Sequence, residues 1–202
     1  MTDRAKQLAA PCEPVRPAGR ILVYGVTGSG KTTLARQISE RTGLPWHPVD
    51  DLTWQPGWVA VPDHEQRRRI AVICAWERWG LDTAYGKWLD LPLERAQLVV
   101  GLDYSRWLSL QRLIRRTAVR TIGRRPVCNG NVESLRSAFS RDWIVYWHFR
   151  SFKRKRQRMR RWAASPAAPA TVLFRSPRQT RQWLDTLSPG TAETAPGPVT
   201  PP

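Results

Sequence analysis

Residues 25–32 read Gly25-Val26-Thr27-Gly28-Ser29-Gly30-Lys31-Thr32, which fits G-x-x-x-x-G-K-[ST] at every fixed position and follows an apolar run at 21–24. Glycines let such a loop curl so that its backbone N–H groups face inward, and the helix that starts after it adds its positive end. The pattern therefore predicts a Walker A loop for nucleotide phosphates, in which Lys31 reaches the β and γ phosphates and Thr32 helps to hold Mg²⁺. The residues assigned to nucleotide binding here are Gly25, Val26, Thr27, Gly28, Ser29, Gly30, Lys31, Thr32 and Thr33.

The chain is strongly basic, and its composition predicts one folded domain. It has 202 residues, and 33 Lys and Arg against 16 Asp and Glu give a formal net charge of +17. Residues 1–18 and 188–202 are rich in Pro, Ala, Thr and Gly, so we expect a disordered arm and a disordered tail around a domain at 19–187. We expect no transmembrane segment, because that needs an apolar stretch of about 18 residues. The charged, proline-broken start also lacks a signal-peptide pattern, which favours a cytoplasmic protein.

Short apolar runs alternate with helical patterns along the domain. The runs that predict strands lie at 21–24, 46–49, 79–83, 98–102 and 171–174. The patterns that predict helices lie at about 31–42, 62–78, 105–120, 132–162 and 177–187. Strands that alternate with helices favour an α/β fold in which a parallel sheet is covered by helices on both faces.

Three aspartates follow predicted strands and are candidates for chemistry, because ligands of a parallel sheet bind at the carboxyl ends of its strands. Asp82 is the first choice for a carboxylate that holds Mg²⁺ together with Thr32. Asp50 competes with it for the metal or would serve a substrate hydroxyl. Asp103 is expected to cap the next helix.

Further motifs follow the loop in a familiar order. They are the turn Gly43-Leu44-Pro45, the stretch Asp50-x-x-x-Trp54-x-x-Gly57-Trp58, the strand end Trp79-Gly80-Leu81-Asp82-Thr83-Ala84-Tyr85 and the helical Arg112-x-x-Arg115-Arg116. With these motifs the chain resembles the adenylate-kinase-like P-loop proteins, in particular the small bacterial topology-modulation group, over residues 20–187. One departure concerns the acceptor region, because members of that group usually carry Asp-Gly-Asn-Tyr where this chain has Asp82-Thr83-Ala84-Tyr85.

The resemblance implies a three-layer fold like that of nucleoside and nucleotide kinases, with five parallel strands, that binds ATP and Mg²⁺. It also implies a short arginine-rich lid at about 120–131 that closes over the phosphates. The arginines concerned are Arg120, Arg124 and Arg125 in the lid and Arg112, Arg115 and Arg116 on the helix before it. Because adjacent helical residues point about 100° apart, at most one of Arg115 and Arg116 faces the site.

A kinase of this kind needs positioning and charge neutralisation more than covalent help from the protein. The expected catalytic residues are Lys31, Asp50, Arg116 and Arg124, the metal ligands Thr32 and Asp82, and the further nucleotide-binding residues Arg112, Arg115 and Arg175. Asp50 would orient the acceptor hydroxyl. The arginines would stabilise the transferring group, because a planar guanidinium contacts two phosphate oxygens at once.

Much of the positive charge is concentrated in residues 153–161, where seven of nine side chains are basic. Because the apolar positions before this run have helical spacing, we expect it to extend a long helix beyond its packed part, with charge on all sides. Such a run attracts polyanions, such as nucleic acid or an anionic membrane surface, or is simply a solvated face.

Three functions remain open at this point. The first is a kinase for a nucleotide, nucleoside or other small acceptor, acting as a monomer or homodimer. The second is a nucleic-acid-binding ATPase or polynucleotide kinase, and the third is a nucleotide-binding regulator without turnover. A GTPase is disfavoured, because no Asn-Lys-x-Asp occurs and no Asp is followed three residues later by Gly. Trp46, Trp54 and Trp58 near the acceptor region would stack on a base or line the cleft.

Overall fold

The computed structural model describes residues 18–123, 126–132 and 144–187. Its strands are β1 (Arg20–Gly25), β2 (Trp46–Pro48), β3 (Trp54–Gln55), β4 (Val59–Ala60), β5 (Trp79–Thr83), β6 (Leu98–Leu102), β7 (Pro126–Val127), β8 (Asn131–Val132) and β9 (Ala170–Phe174). The described helices are α1 (Lys31–Thr42), α2 (Val49–Thr53), α3 (Asp63–Ala75), α4 (Asp90–Arg95), α5 (Arg106–Ile122), α6 (Ile144–Ala164) and α7 (Pro177–Asp185), and a 3₁₀ turn covers Pro56–Trp58.

A five-stranded parallel sheet in the order β2-β5-β1-β6-β9 forms the centre of the fold. Its strands are those that the apolar runs predict, so the expected α/β fold with five parallel strands is confirmed. Two short antiparallel pairs, β3 with β4 and β7 with β8, were not predicted.

The residues of β1 explain why helices cover the sheet on both faces. Ile21 and Val23 pack on one face with side chains of α1 and α7, while Leu22 and Tyr24 pack on the other with α3 and α6. Successive residues of a strand point to opposite sides, and all four of these side chains are buried. The result is a three-layer arrangement of helices, sheet and helices.

The central position of β1 puts the loop 25–32 in the middle of the carboxyl edge of the sheet. β1 pairs with β5 on one side and with β6 on the other, and the register places Asp82 of β5 beside Val23. In open α/β sheets ligands bind at such a point, because the connections leave it in opposite directions and open a crevice. The loop and Asp82 therefore share one edge of the sheet.

Helix α5 supports this loop from behind. Gly28 has a φ of +81°, a conformation that glycine adopts at little cost. A Cβ atom on Gly28 would collide with the backbone carbonyl oxygen of Ser109 and would lie 2.9 Å from the Cβ of Leu113. Glycine is required here twice, for the turn and for the close approach of α5.

Asp103 does not cap α5 as expected. The N-cap is Ser105, whose side chain accepts a hydrogen bond from the Leu108 amide at 3.3 Å. The side chain of Asp103 is fully buried and accepts hydrogen bonds from Arg156 and Arg160 of α6, the latter at 2.9 Å. A carboxylate without access to water needs such partners, and these two guanidinium groups attach α6 to the end of β6.

The prediction that the basic run 153–161 extends beyond the packed part of its helix is wrong. Met159 within the run is fully buried in the core, and two arginines of the run hold Asp103. The buried side of α6 continues through Phe152 and Met159, so this part of the helix also packs on the protein. Basic side chains such as Lys153 are exposed on its outer face.

The segment expected as a lid is divided between a helix and a hairpin. Arg120 belongs to α5, and residues 126–132 form the hairpin of β7 and β8. Arg124 and Arg125 lie outside the described residues.

Other predictions also fall on residues that the structure does not describe. They concern residues 1–17 of the arm and 188–202 of the tail, both expected to be disordered, and residues 133–143 of the helix expected at 132–162. Within the described ranges, no helix combines the length and the apolar character that crossing a membrane requires.

Replacing Asp103 by alanine should destabilise the protein, because it leaves two guanidinium groups at the surface of the core without their carboxylate. These arginine side chains are 34% and 48% exposed, so water replaces part of the lost interaction. We expect the free energy of unfolding, measured by urea denaturation, to fall by about 1–3 kcal/mol.

Glu40→Ala is the matched control, because it removes an ion pair with Arg36 in which both side chains are about 60% exposed. The control should change the free energy of unfolding by less than about 0.5 kcal/mol. Equal losses in the two variants would contradict the anchoring role of Asp103.

Gly28→Ala should destabilise the protein more than Gly43→Ala. Both glycines have positive φ, but a Cβ on Gly43 has no atom within 4 Å, whereas one on Gly28 meets the backbone of α5. We expect a loss of about 1 kcal/mol for Gly43→Ala from backbone strain alone and of about 2–4 kcal/mol for Gly28→Ala. Chemical denaturation measures both values, and similar losses would show that α5 does not constrain the loop.

Candidate active site

The loop 25–32 leads directly into the first turn of α1. Gly30 is the N-cap residue, with a φ of +93°, and no side chain caps the helix. The first backbone N–H groups of a helix have no partner within it, so α1 presents them to the loop with the positive end of its dipole. The amide of Ser29 is engaged within the loop, where it donates to the Val26 carbonyl at 3.2 Å. The arrangement suits a bound anion between the loop and the helix start.

Lys31 is folded into this loop. Its Nζ donates a hydrogen bond to the carbonyl oxygen of Val26 at 3.2 Å. Burial lowers the pKa of Lys31, the charges of Asp82 and Asp50 oppose that shift, and the charge of Arg116 adds to it. The ammonium group therefore lies within electrostatic reach of both carboxylates that the sequence selects.

Thr32 and Asp82, the predicted metal ligands, lie side by side. The hydroxyl of Thr32 donates to Oδ2 of Asp82 at 2.6 Å, and Nε1 of Trp46 donates to Oδ1 at 3.0 Å. Burial raises the pKa of Asp82, while these two hydrogen bonds and the charge of Lys31 lower it. A carboxylate beside a threonine hydroxyl offers the hard oxygen donors that Mg²⁺ prefers, with phosphate and water oxygens as further ligands. The residues present fit this metal, and their role as ligands stays a prediction.

Asp50 is held by a short chain of hydrogen bonds. Its Oδ1 accepts from the hydroxyl of Tyr85 at 3.0 Å, and that hydroxyl accepts from Nε1 of Trp54 at 3.0 Å. Burial and the charge of Asp50 raise the pKa of Tyr85, so the tyrosine remains a neutral donor. Asp50 itself is exposed. The tyrosine that survives from the Asp-Gly-Asn-Tyr pattern is thus the partner of Asp50.

Two of the predicted arginines lie at the loop. Nη1 of Arg112 donates to the carbonyl oxygen of Ser29 at 3.3 Å, and its guanidinium carbon lies 5.4 Å from the ring centre of Tyr104. Arg116 is half-buried, and its charge lowers the pKa of Lys31. Both side chains come from α5, the helix that supports the loop.

The remaining predicted nucleotide-binding residues outside the loop that the structure describes are exposed. Arg115 and Thr33 are exposed on α5 and α1. Arg175 is exposed, and its backbone amide donates to Oε1 of Gln179 at 2.8 Å. Among the hydrogen bonds of the described residues, none joins Arg115 or Arg175 to the loop, and Arg124 lies outside those residues.

The hairpin of β7 and β8 is fastened to the segment that contains Asp50. Nδ2 of Asn129 donates to the carbonyl oxygens of Asp51 at 2.8 Å and Trp54 at 2.6 Å. Asn131 is buried, and it donates to the Gln55 carbonyl at 3.0 Å while accepting from the Trp58 amide at 2.8 Å. The segment expected as a lid therefore holds the segment that follows Asp50, a contact across about 75 residues that the sequence analysis missed.

Trp46, Trp54 and Trp58 have separate roles. Trp46 is bonded to Asp82, which identifies it as a support of that carboxylate. Trp54 and Trp58 contact each other edge to face, with ring centres 5.8 Å apart and planes at 76°. Trp54 also donates to Tyr85, the partner of Asp50, and both alternatives for Trp54 and Trp58, stacking on a base or lining the cleft, stay predictions.

Helix α6 packs directly against the loop. His148 is fully buried, and its Nδ1 lies 3.1 Å from the carbonyl oxygen of Thr27. Burial lowers the pKa of His148, so the ring is neutral at pH 7, and the hydrogen on Nδ1 is the one donated to Thr27. The sequence analysis gave this histidine no role.

Lys155 lies two turns further along α6. Burial lowers the pKa of Lys155 to about 7, and the charge of Asp50 opposes the shift. The positive charges that add to it are those of Lys31, Arg154 and Arg158. Lys155 is therefore half-buried, although the sequence analysis counted it within a solvated run.

Comparisons with known proteins bear on the fold. No protein-family model matches the chain, and neither does any curated protein sequence. A gluconokinase from Sinorhizobium meliloti 1021 is similar in structure, with a TM-score of 0.50, 18% identity, and coverage of 84% of this chain and 91% of that one.

Two further solved structures match with lower TM-scores. A sugar kinase from Janibacter sp. HTCC2649 has a TM-score of 0.45 and 16% identity, and the match covers 83% of this chain and 92% of the sugar kinase. Shikimate kinase from Bacteroides thetaiotaomicron has a TM-score of 0.48 and 13% identity, and the match covers 84% of this chain and 96% of the shikimate kinase. None of the three is named as an adenylate kinase or a topology-modulation protein, so that finer resemblance stays a prediction. The chain has the α/β fold of a P-loop kinase, as the gluconokinase does.

Proposed function

We propose that this chain is an ATP-binding, Mg²⁺-dependent phosphotransferase for a small acceptor, related to the adenylate-kinase-like P-loop proteins. The observation that carries the proposal is the hydrogen bond from Thr32 of the Walker A loop to the carboxylate of Asp82. The charges of Asp82 and of a second carboxylate, Asp50, both act on Lys31. A loop lysine and one carboxylate suffice for nucleotide binding. The second carboxylate, held by Tyr85, is what a kinase needs for its acceptor.

The nucleotide side of the site consists of backbone and cationic groups. The amides of Gly28 and Gly30 and the first turn of α1 bind phosphate oxygens, and Lys31 neutralises charge that moves toward the β–γ bridge. Arg112 and Arg116 approach from α5 and stabilise the transferring group. Arg115, Arg124 and Arg175 remain candidates for further phosphate contacts.

Mg²⁺ would be held by the hydroxyl of Thr32 and the carboxylate of Asp82, with phosphate and water oxygens completing its shell. When bound, the metal neutralises negative charge on the β and γ phosphates. The indole N–H of Trp46 donates to Oδ1 of Asp82, and this hydrogen bond orients Oδ2 toward Thr32. In the absence of the metal, the Thr32 hydroxyl satisfies that oxygen.

Asp50 acts on the acceptor. Tyr85 occupies its Oδ1, and among the described residues no hydrogen-bond donor occupies Oδ2. This second oxygen is thus available to orient an acceptor hydroxyl and to take its proton as transfer proceeds. Tyr85 and Trp54 limit rotation of the carboxylate, and the acceptor itself is a nucleotide, nucleoside or other small hydroxyl compound.

Lys31→Ala should abolish phosphoryl transfer. We expect wild-type protein with ATP and Mg²⁺ to phosphorylate a member of a panel of nucleosides, nucleotides and small alcohols, and the variant to lose at least about 100-fold in rate. Lys87→Ala is the control, because its exposed ammonium pairs with Asp63 outside the loop. Transfer of labelled γ-phosphate measures the rate, and thermal melting checks that each variant is folded.

Two outcomes of this panel would overturn the proposal. ATP hydrolysis stimulated by RNA or DNA, with no transfer to any small acceptor, would identify the nucleic-acid-dependent alternative. Tight ATP binding with no product under any condition would identify a regulator without turnover.

Asp50→Asn should lower kcat by about 100- to 10,000-fold while the KM for ATP stays nearly constant, because the amide still accepts from Tyr85 but is a poor proton acceptor. Asp51→Asn is the control at the adjacent position, whose backbone carbonyl accepts from Asn129. Steady-state kinetics with both substrates varied separate the two parameters. Equal losses in the two variants would argue against a direct role for Asp50.

A further inference from the structure

The imidazole of His148 joins α6 to the loop 25–32. Its Nδ1 donates a hydrogen bond to the carbonyl oxygen of Thr27 at 3.1 Å. Its Nε2 lies 3.5 Å from the hydroxyl oxygen of Ser109 on α5. The ring therefore lies where both helices meet the loop, and it is fully buried.

Neighbouring side chains fix the orientation of this ring. The ring centres of Phe152 and Phe149 lie 5.5 Å and 5.9 Å from that of His148, and the Phe149 ring is nearly perpendicular to it. The hydroxyl of Ser109 is itself bonded to the carbonyl oxygen of Arg106 at 3.0 Å. A ring that is packed in this way has few alternative rotamers, so its Nδ1–H has a defined direction.

The contact also determines where the next amide of the loop points. The peptide between Thr27 and Gly28 is trans, so the N–H of Gly28 is directed away from the carbonyl oxygen of Thr27. Because that oxygen faces α6, the amide faces the opposite direction. Among the described residues, no acceptor is bonded to this amide, and no donor other than His148 is bonded to the Thr27 carbonyl. The Gly28 amide is thus available to a ligand, in a direction that His148 sets.

Gly28 by itself resists rotation of this peptide only weakly, because glycine has access to more of φ and ψ space than any other residue. The hydrogen bond from His148 opposes such a rotation, since the Thr27 carbonyl would lose its partner. A rotated peptide would present its carbonyl oxygen, rather than its N–H, to a bound phosphate. The donor on α6 therefore bears on how well the loop binds phosphates.

We propose that His148 is a positioning residue of the nucleotide site, which holds the Gly28 amide toward the phosphates through the carbonyl of Thr27. This rests on the proposed function and assigns to α6 a part in phosphate binding. The Nδ1 proton stays on the imidazole, so His148 takes no part in the transfer step. Its contribution is to the affinity for phosphates.

His148→Asn and His148→Gln separate hydrogen bonding from packing. The amide nitrogen of asparagine lies about where Nδ1 of histidine does, whereas that of glutamine reaches about to the position of Nε2. We expect the Kd for ADP with Mg²⁺, measured by calorimetry, to rise about tenfold or more in His148→Gln and in His148→Phe. His148→Asn should restore most of the affinity, because it keeps a donor for the Thr27 carbonyl.

Phe152→Leu is the matched control, because it disturbs the packing around His148 and leaves the donor in place. We expect it to lower the melting temperature while changing the Kd for ADP less than His148→Gln does. A loss of affinity that follows the melting temperature across all four variants would show that His148 acts through packing alone, and would contradict the proposal.

The same measurements distinguish this inference from the proposed function. Equal affinities for ADP in His148→Asn and His148→Gln would overturn the inference and leave the proposed function intact. The expected order of affinities, without transfer to any acceptor, would support the role of His148 and overturn the kinase. A wild-type protein that binds no ADP would overturn both.

Discussion

Two arginines of α6 enclose the buried carboxylate of Asp103, and the arrangement of the site depends on this contact. Asp103 follows β6, the neighbour of β1, so the contact fixes α6 to the same edge of the sheet that carries the phosphate-binding loop. With the helix held there, His148 contacts the carbonyl oxygen of Thr27. The charge of Lys31 also lowers the pKa of Lys155. A helix that is polar in composition can pack in this way because its charges are paired with a buried partner on one side and solvated on the other.

The same packing explains how the protein accommodates so much positive charge near one point. Lys31, Lys155 and the neighbouring arginines repel one another, and burial lowers the pKa of both lysines. Asp82 and Asp50 offset only part of this charge. These positive charges therefore destabilise the folded protein, and under the proposed function bound phosphates would relieve the repulsion.

Much of the fold follows from local sequence patterns. Each strand of the main sheet is a short apolar run, and the rule that ligands bind at strand carboxyl ends selects Asp82 and Asp50, which do lie close to Lys31. The wrong predictions concern charged residues that pack against the protein, because their charge suggests exposure to solvent. Residues 153–161 look solvated because basic residues outnumber apolar ones, yet Phe152 and Met159 continue the buried stripe. Asp103 looks like a cap because it precedes a helix, and its partners are more than 50 residues away.

The two halves of the site differ in how they are encoded. The half predicted to bind phosphates is mostly contained in one loop and the start of one helix, so a single motif specifies it. The half proposed for the acceptor is assembled from three separate segments, which contain Asp50, Tyr85 and Asn129. No spacing rule links such distant positions, and the likeness to a gluconokinase at 18% identity concerns the fold alone. The chemistry of the proposed acceptor must therefore be derived from the side chains that this chain brings together, and the bond between Asp50 and Tyr85 is the most direct information they provide.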